Sequence, residues 1–230
     1  MGPLKVADRR VNPARGSQSF EKPCSSSHSG GLGEFKAVAM LMRSIKIGLV
    51  AVGLTAGSGG AYWGVIQYHG NFHAVREGEF YRSAQLATDE LHGVIRDHGI
   101  RSILNLRGAH PGQAWYDDEV AVSRALGVAH YDYGLSAYRI VTAQQIDELL
   151  DILRNAPKPL LVHCKSGADR AGLVSALYRF AAEGASAEQA DGELSLIYGH
   201  FPYFASRSRA MDDSFWAFVG TQGPATKSTN

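Results

Sequence analysis

The chain has 230 residues, 45% of them hydrophobic and 20% charged, with a formal net charge of +1, which leaves room for one domain of about 150 residues plus appendages. Basic residues are scattered and not interleaved with aromatics, which argues against a nucleic-acid partner. The two cysteines, Cys24 and Cys164, cannot make a disulfide framework, and no cysteine pair or His-x3-His stands at zinc-ligand spacing, so neither metal nor cofactor is expected.

Met1 to Lys36 is rich in Ser, Gly, Pro and Arg and has no apolar periodicity; residues 1–41 read as an unstructured leader. Met40 and Met42 are alternative starts, since Met42-Arg43-Ser44-Ile45-Lys46 before an apolar run is similar to a bacterial export-type N-terminus. Ile47 to Ile66 is a run of twenty residues without charge, the length that crosses a hydrocarbon core. Residues 42–68 are therefore expected to form a single-pass anchor, with a cleaved signal segment (small residues at Gly59-Gly60-Ala61) and a buried soluble helix as alternatives. Tyr62 and Trp63 suit an interfacial belt. Lys36, Arg43 and Lys46 before the run, against Arg76 and Arg82 after it, point the following domain to the periplasmic, extracytoplasmic side.

Residues 69–220 read as one α/β domain with a mostly parallel central sheet flanked by helices. Asn71 to Gln85 reads as an opening strand and turn. Thr88 caps a helix bearing Leu91, Val94 and Ile95, and Gly99 ends it. Ile100 to Arg107 is a strand with Asn105 and Arg107 at its C-terminal end, where ligands gather in open α/β sheets. A helix over Trp115–Leu126, a strand over Val128–Tyr133 and a loop with Tyr138 and Arg139 as rim candidates follow. Thr142 with Gln145 and Ser186 with Gln189 are capping boxes. The first opens a helix bearing Ile146, Leu149, Leu150 and Leu153; the second opens one whose apolar stripe is Ala190, Leu194 and Ile197. A last helix carries Met211, Phe215 and Phe218, and Thr221 to Asn230 is a tail.

Between these lies Pro159 to Gly172. Leu160 to Val162 reads as a buried strand, and Leu173 to Ala182 as a helix apolar on nearly every face. Strand, loop and helix N-terminus in that order converge backbone N–H groups, including those of Ser166, Gly167 and Ala168, on an anion. Cys164 sits at the floor of such a loop; a helix N-terminus and a nearby cation favour the nucleophilic thiolate in general. Arg170 offers a planar fork for two phosphoryl oxygens, Gly167 lets the backbone turn close to the ligand, and Lys165 adds a point charge.

These residues resemble the cysteine-dependent phosphatase superfamily, whose His-Cys-x5-Arg signature is matched by His163, Cys164 and Arg170. The likeness covers about residues 71–219 and is nearest to the dual-specificity and related protein tyrosine phosphatases, as an atypical bacterial member. It implies a cysteinyl-phosphate intermediate, with Arg170 on the phosphoryl oxygens and His163 and the loop in substrate binding; Arg107, from its place at the strand end, either adds charge to the substrate pocket or makes a surface ion pair. Ala171 departs from the usual Ser or Thr, which implies slow breakdown of the phosphoenzyme. Asp169, inside the loop, is the leading general acid; Asp132, thirty-two residues before Cys164, is the alternative and reads equally as a fixed structural carboxylate. Two competing readings are a phosphate-binding module without turnover and a sulfur-transfer domain, whose loops are one residue shorter. Substrates left open are a phosphorylated protein, an inositol phosphate and a membrane phospholipid.

Overall fold

A computed structural model describes residues 31–222. The chain divides into a first unit ending at Gly53 and a second beginning at Leu54. One helix, α1 (Gly31–Tyr68), runs through that boundary. It starts within the stretch expected to be unstructured, because Glu34 to Met42 is made almost wholly of good helix formers; the rest of the leader, with Cys24, lies outside the described residues. From Val38 to Tyr68 it is long and apolar enough to cross a membrane. The buried-helix alternative is not what is found: side chains such as Val50 and Leu54 are 62% and 70% exposed.

The second unit holds a five-stranded sheet of order β1-β2-β5-β3-β4. The opening segment is a hairpin of two strands, β1 (His73–Arg76) and β2 (Phe80–Ser83), joined through Gly78 at φ +72°. β3 (Ser102–Asn105), β4 (Ala129–Asp132) and β5 (Leu160–His163) pair in parallel, and β2 joins β5 in parallel too. β3 and β4 are shorter than the Ile100–Arg107 and Val128–Tyr133 stretches read as strands, and β5 runs one residue beyond Val162. Helices α2 (Thr88–Asp97) and α3 (Ala114–Ala125) cover one face; α4 (Ala143–Asn155), α5 (Asp169–Ala181) and α7 (Ala210–Thr221) cover the other, with the short α6 (Ala187–Asp191) beside α5.

The capping boxes at Thr142 and Ser186 form as expected. At α2 the cap is Ala87, one residue earlier than Thr88, and Glu90 accepts the Ala87 N–H instead while the Thr88 hydroxyl reaches Asp118. The stripe beyond Ser186 breaks at Gly192, where α6 ends. Leu194 still buries, but Ile197 falls in a separate 3-10 turn (Leu196–Tyr198) and is exposed.

Eight successive residues of α5, Ala171 to Tyr178, are buried, so the helix that follows the signature loop is gripped on every side. Leu173 is completely buried there. Leu173→Ala is expected to cost about 2–5 kcal/mol of stability, read as a lower urea midpoint at unchanged slope; a change below about 0.5 kcal/mol contradicts this packing.

Candidate active site

The parallel strands end at one level. Ser83 lies beside His163, His163 beside Asn105, and Asn105 beside Asp132, so the C-terminal edge of the sheet is a shelf from which the chain leaves β5 at Cys164. The loop from Cys164 to Ala168 then enters α5 at Asp169.

Four successive carbonyls of this loop are held from outside it. The Gln85 N–H donates to Lys165 O at 3.3 Å. The side-chain amides of Gln67 and Asn71 donate to Ser166 O at 3.0 and 2.9 Å. Arg82 Nη2 donates to Gly167 O at 2.7 Å and to Ala168 O at 3.1 Å. Because a trans peptide points its N–H opposite its C=O, the following amides are turned the other way. Those of Ser166, Gly167 and Ala168 meet no protein acceptor among the described residues. Buried N–H groups are rarely left so, and three in succession at a helix start form an anion cradle.

In the sequence Arg82 stands within the opening strand and turn and counts among the basic residues after the apolar run. It is fully buried; its Nη1 donates to Glu193 O at 2.8 Å and to a Glu193 carboxylate oxygen at 2.9 Å, and its guanidinium lies 4.1 Å from the Tyr198 ring centre. Burial works against its charge, and the Glu193 carboxylate offsets this in part. Gly167 has φ +72°, and a Cβ there would lie 2.6 Å from Ala84 N and 2.7 Å from Ser83 C. Its close approach is thus to the end of β2, which draws the loop onto the sheet.

On the loop's open side is a cavity of about 540 Å³ whose walls include Trp63, Gln67, Tyr138, Lys165, Ser166, Asp169 and Arg170. Arg170 Nη1 donates to Leu106 O at 3.1 Å and Leu135 O at 3.2 Å, tying α5 to the loops after β3 and β4. Its Nε is buried without a partner. Cys164 is 1% exposed and is not among the lining residues, so its thiol is reached only through the cradle. Arg139 faces a neighbouring cavity.

Beneath the loop, His163 donates through Nε2 to Glu119 Oε1 at 3.1 Å, and the same oxygen accepts from His130 Nε2 at 2.8 Å. The other Glu119 oxygen accepts from Gln85 at 2.6 Å, and Gln85 in turn accepts from Arg107 at 2.9 Å. Burial pushes the Glu119 carboxyl up, but the bonds from His130 and His163 outweigh it and hold it at about 2. Arg107 stacks on Trp115 with 3.3 Å to the ring centre; burial and the nearby Arg170 both work against its charge. His163 and Arg107 thus support the loop from below and do not line the cavity.

The two aspartates differ in setting. Asp132, at the end of β4, accepts from Asn105 at 2.8 Å and from the Tyr116 hydroxyl at 2.6 Å, one bond on each oxygen, and lies off the cavity. Asp169 lines the cavity while one oxygen sits 2.7 Å from His200 Nδ1. His200 is fully buried and its Nε2 lies 2.9 Å from Asp212. Burial pulls the imidazole down, yet the two carboxylates raise it to about 9. At neutral pH it is an imidazolium that donates to both.

A strand, a loop and a helix start at the C-terminal edge of a parallel sheet, with a buried cysteine opening the loop and an arginine in the first turn of the helix, frame the cavity of this α/β domain. The tyrosine phosphatase family profile matches residues 64–189, and the chain belongs to that family. Among solved structures, the core catalytic domain of the PP-IP phosphatase SIW14 from S. cerevisiae is 22% identical over 66% of this chain and 92% of that one, at a TM-score of 0.50. TpbA from P. aeruginosa, solved also in complex with pTyr, is 20% identical over 61% of this chain and 86% of that one, at 0.44. The likeness in fold rests on the first of these. No curated protein matches the chain.

His200 gains its proton affinity on folding, so it contributes stability that is full below its unfolded pKa near 6.5 and is lost as pH rises through about 9. The urea stability of the wild type should therefore fall over that window by up to about 3 kcal/mol more than that of His200→Gln. Parallel profiles for the two proteins contradict the Asp169–His200–Asp212 arrangement.

Proposed function

We propose that the chain hydrolyses phosphomonoesters through a cysteinyl-phosphate, with Cys164 as nucleophile. The observation that carries this reading is the run of three unspent amides above Cys164, next to the unpartnered Nε of Arg170. Together they match the non-bridging oxygens of a phosphoryl group.

In the first step the Cys164 thiolate attacks phosphorus, the bond to the leaving oxygen breaks, and Asp169, in the form that carries a proton on the oxygen not bonded to His200, gives that proton to the leaving oxygen. Asp169 is favoured over Asp132 because it lines the cavity, whereas both Asp132 oxygens are engaged elsewhere. His200 is a positioning residue: its bond to one carboxylate oxygen fixes the rotamer of Asp169. In the second step water attacks phosphorus, its proton passes to Asp169, and the P–S bond breaks to give phosphate and the thiolate. No hydroxyl follows Arg170, since Ala171 is buried at that place, so this second step limits turnover. Lys165, exposed on the rim, adds charge for the approaching anion.

We propose that α1 is a single-pass membrane anchor, a reading that its length and apolar composition support, and that the catalytic domain lies outside the cytoplasm, which the basic residues before the uncharged run favour.

The test uses the full chain in detergent with p-nitrophenyl phosphate and phenyl phosphate. Cys164→Ser should remove turnover of both and leave the unfolding midpoint within about 1 kcal/mol of wild type. Asp169→Asn should lower kcat/KM for phenyl phosphate, the poorer leaving group, by about 10²–10⁴-fold and that for p-nitrophenyl phosphate much less. Equal losses of kcat/KM on both substrates count against Asp169 as the acid; activity retained in Cys164→Ser counts against the cysteine mechanism.

A further inference from the structure

A second cavity, of about 590 Å³, adjoins the first and is of opposite character. Tyr62, Trp63 and Ile66 of α1 form one wall; Leu196, Ile197 and Phe201 form the other. The one side-chain hydroxyl in this set, on Tyr62, is spent on the Ile197 carbonyl at 2.9 Å. Trp63 belongs to both cavities, so a single indole separates the carbon-lined groove from the space above Lys165, Ser166, Asp169 and Arg170.

We infer that the substrate is a lipid phosphomonoester, its phosphate held by the signature loop and an acyl chain lying in the groove between the end of α1 and the Leu196–Phe201 segment. This rests on the phosphatase reading and names its substrate class. Three observations favour an acyl chain over a peptide. A peptide carries N–H and C=O groups at every residue, and a groove with little beyond the Trp63 indole N–H to offer them leaves most of them unpaired at a cost; a hydrocarbon chain has none. The apolar run that begins at Ile47 ends at Ile66, so its last residues are themselves walls of the groove. An aromatic and aliphatic patch also stands exposed beside it, with Leu196 at 53%, Tyr203 at 54% and Phe204 at 93%, as on a surface that meets a lipid interface.

The full chain in detergent micelles is given phosphatidic acids with two butanoyl, hexanoyl or octanoyl chains, alongside a phosphotyrosine peptide and p-nitrophenyl phosphate. The inference expects kcat/KM to rise with chain length by up to about fourfold per methylene, and to exceed the peptide's at the longest chain. Ile197→Glu, at an exposed position that folding does not depend on, should flatten this rise at least tenfold. A rise that persists unchanged in Ile197→Glu reflects partition into micelles and overturns the inference, as does preference for the peptide. Hydrolysis of p-nitrophenyl phosphate with no dependence on chain length overturns the lipid assignment alone. No turnover of any of the three classes of ester removes the phosphatase reading and the lipid assignment with it.

Discussion

One guanidinium sets the shape of the site. Arg82, buried in β2, spends one nitrogen on the Gly167 and Ala168 carbonyls and another on Glu193. A planar fork with fixed donor directions can hold three backbone oxygens and a carboxylate at once, where a lysine could not. The carbonyls held back are the reason the amides stand forward, and an anion cradle follows from peptide geometry before any ligand arrives. Glu193 makes the burial of this charge tolerable; without a partner such a group is destabilising by about 3–5 kcal/mol. Gln67 and Asn71 extend the same device to Ser166, so the end of α1 is part of the scaffold of the loop.

A second layer of support lies under the sheet edge. Glu119 collects bonds from His130, His163 and Gln85, and through Gln85 the chain of contacts reaches Arg107 and Trp115. On the cavity side, the imidazolium of His200 joins Asp169 to Asp212 and so ties the first turn of α5 to α7. Loop, sheet edge and two helices are thus locked together by charged hydrogen bonds, which are stronger than neutral ones and keep the site preorganised.

The sequence-based reading reached the α/β class, the parallel core strands, both capping boxes and the loop itself, because all of these are local patterns of three to fourteen residues. It missed the hairpin at Gly78, which a turn of so few residues hides inside one apolar stretch, and it carried Ile197 into a stripe that Gly192 interrupts. Arg82, Glu119, Glu193 and His200 were out of reach for another reason. Their partners lie 111 positions away for Arg82 and Glu193, 44 for Glu119 and His163, and 31 for His200 and Asp169. Nothing in the spacing of a lone buried arginine or glutamate announces so distant a partner. Gly167 was noticed, but for the ligand's sake; its tightest neighbours are Ser83 and Ala84.

The central claim is that the cradle is assembled from behind by Arg82, and the binding of orthovanadate to the full chain, measured by calorimetry, tests it most directly. Arg82→Lys keeps the charge opposite Glu193 but lacks the fork. If the protein remains folded by circular dichroism and its vanadate affinity falls tenfold or more, equivalent to about 1.4 kcal/mol, the carbonyl clamp is what orients the loop. A folded Arg82→Lys that binds vanadate as tightly as wild type contradicts the account.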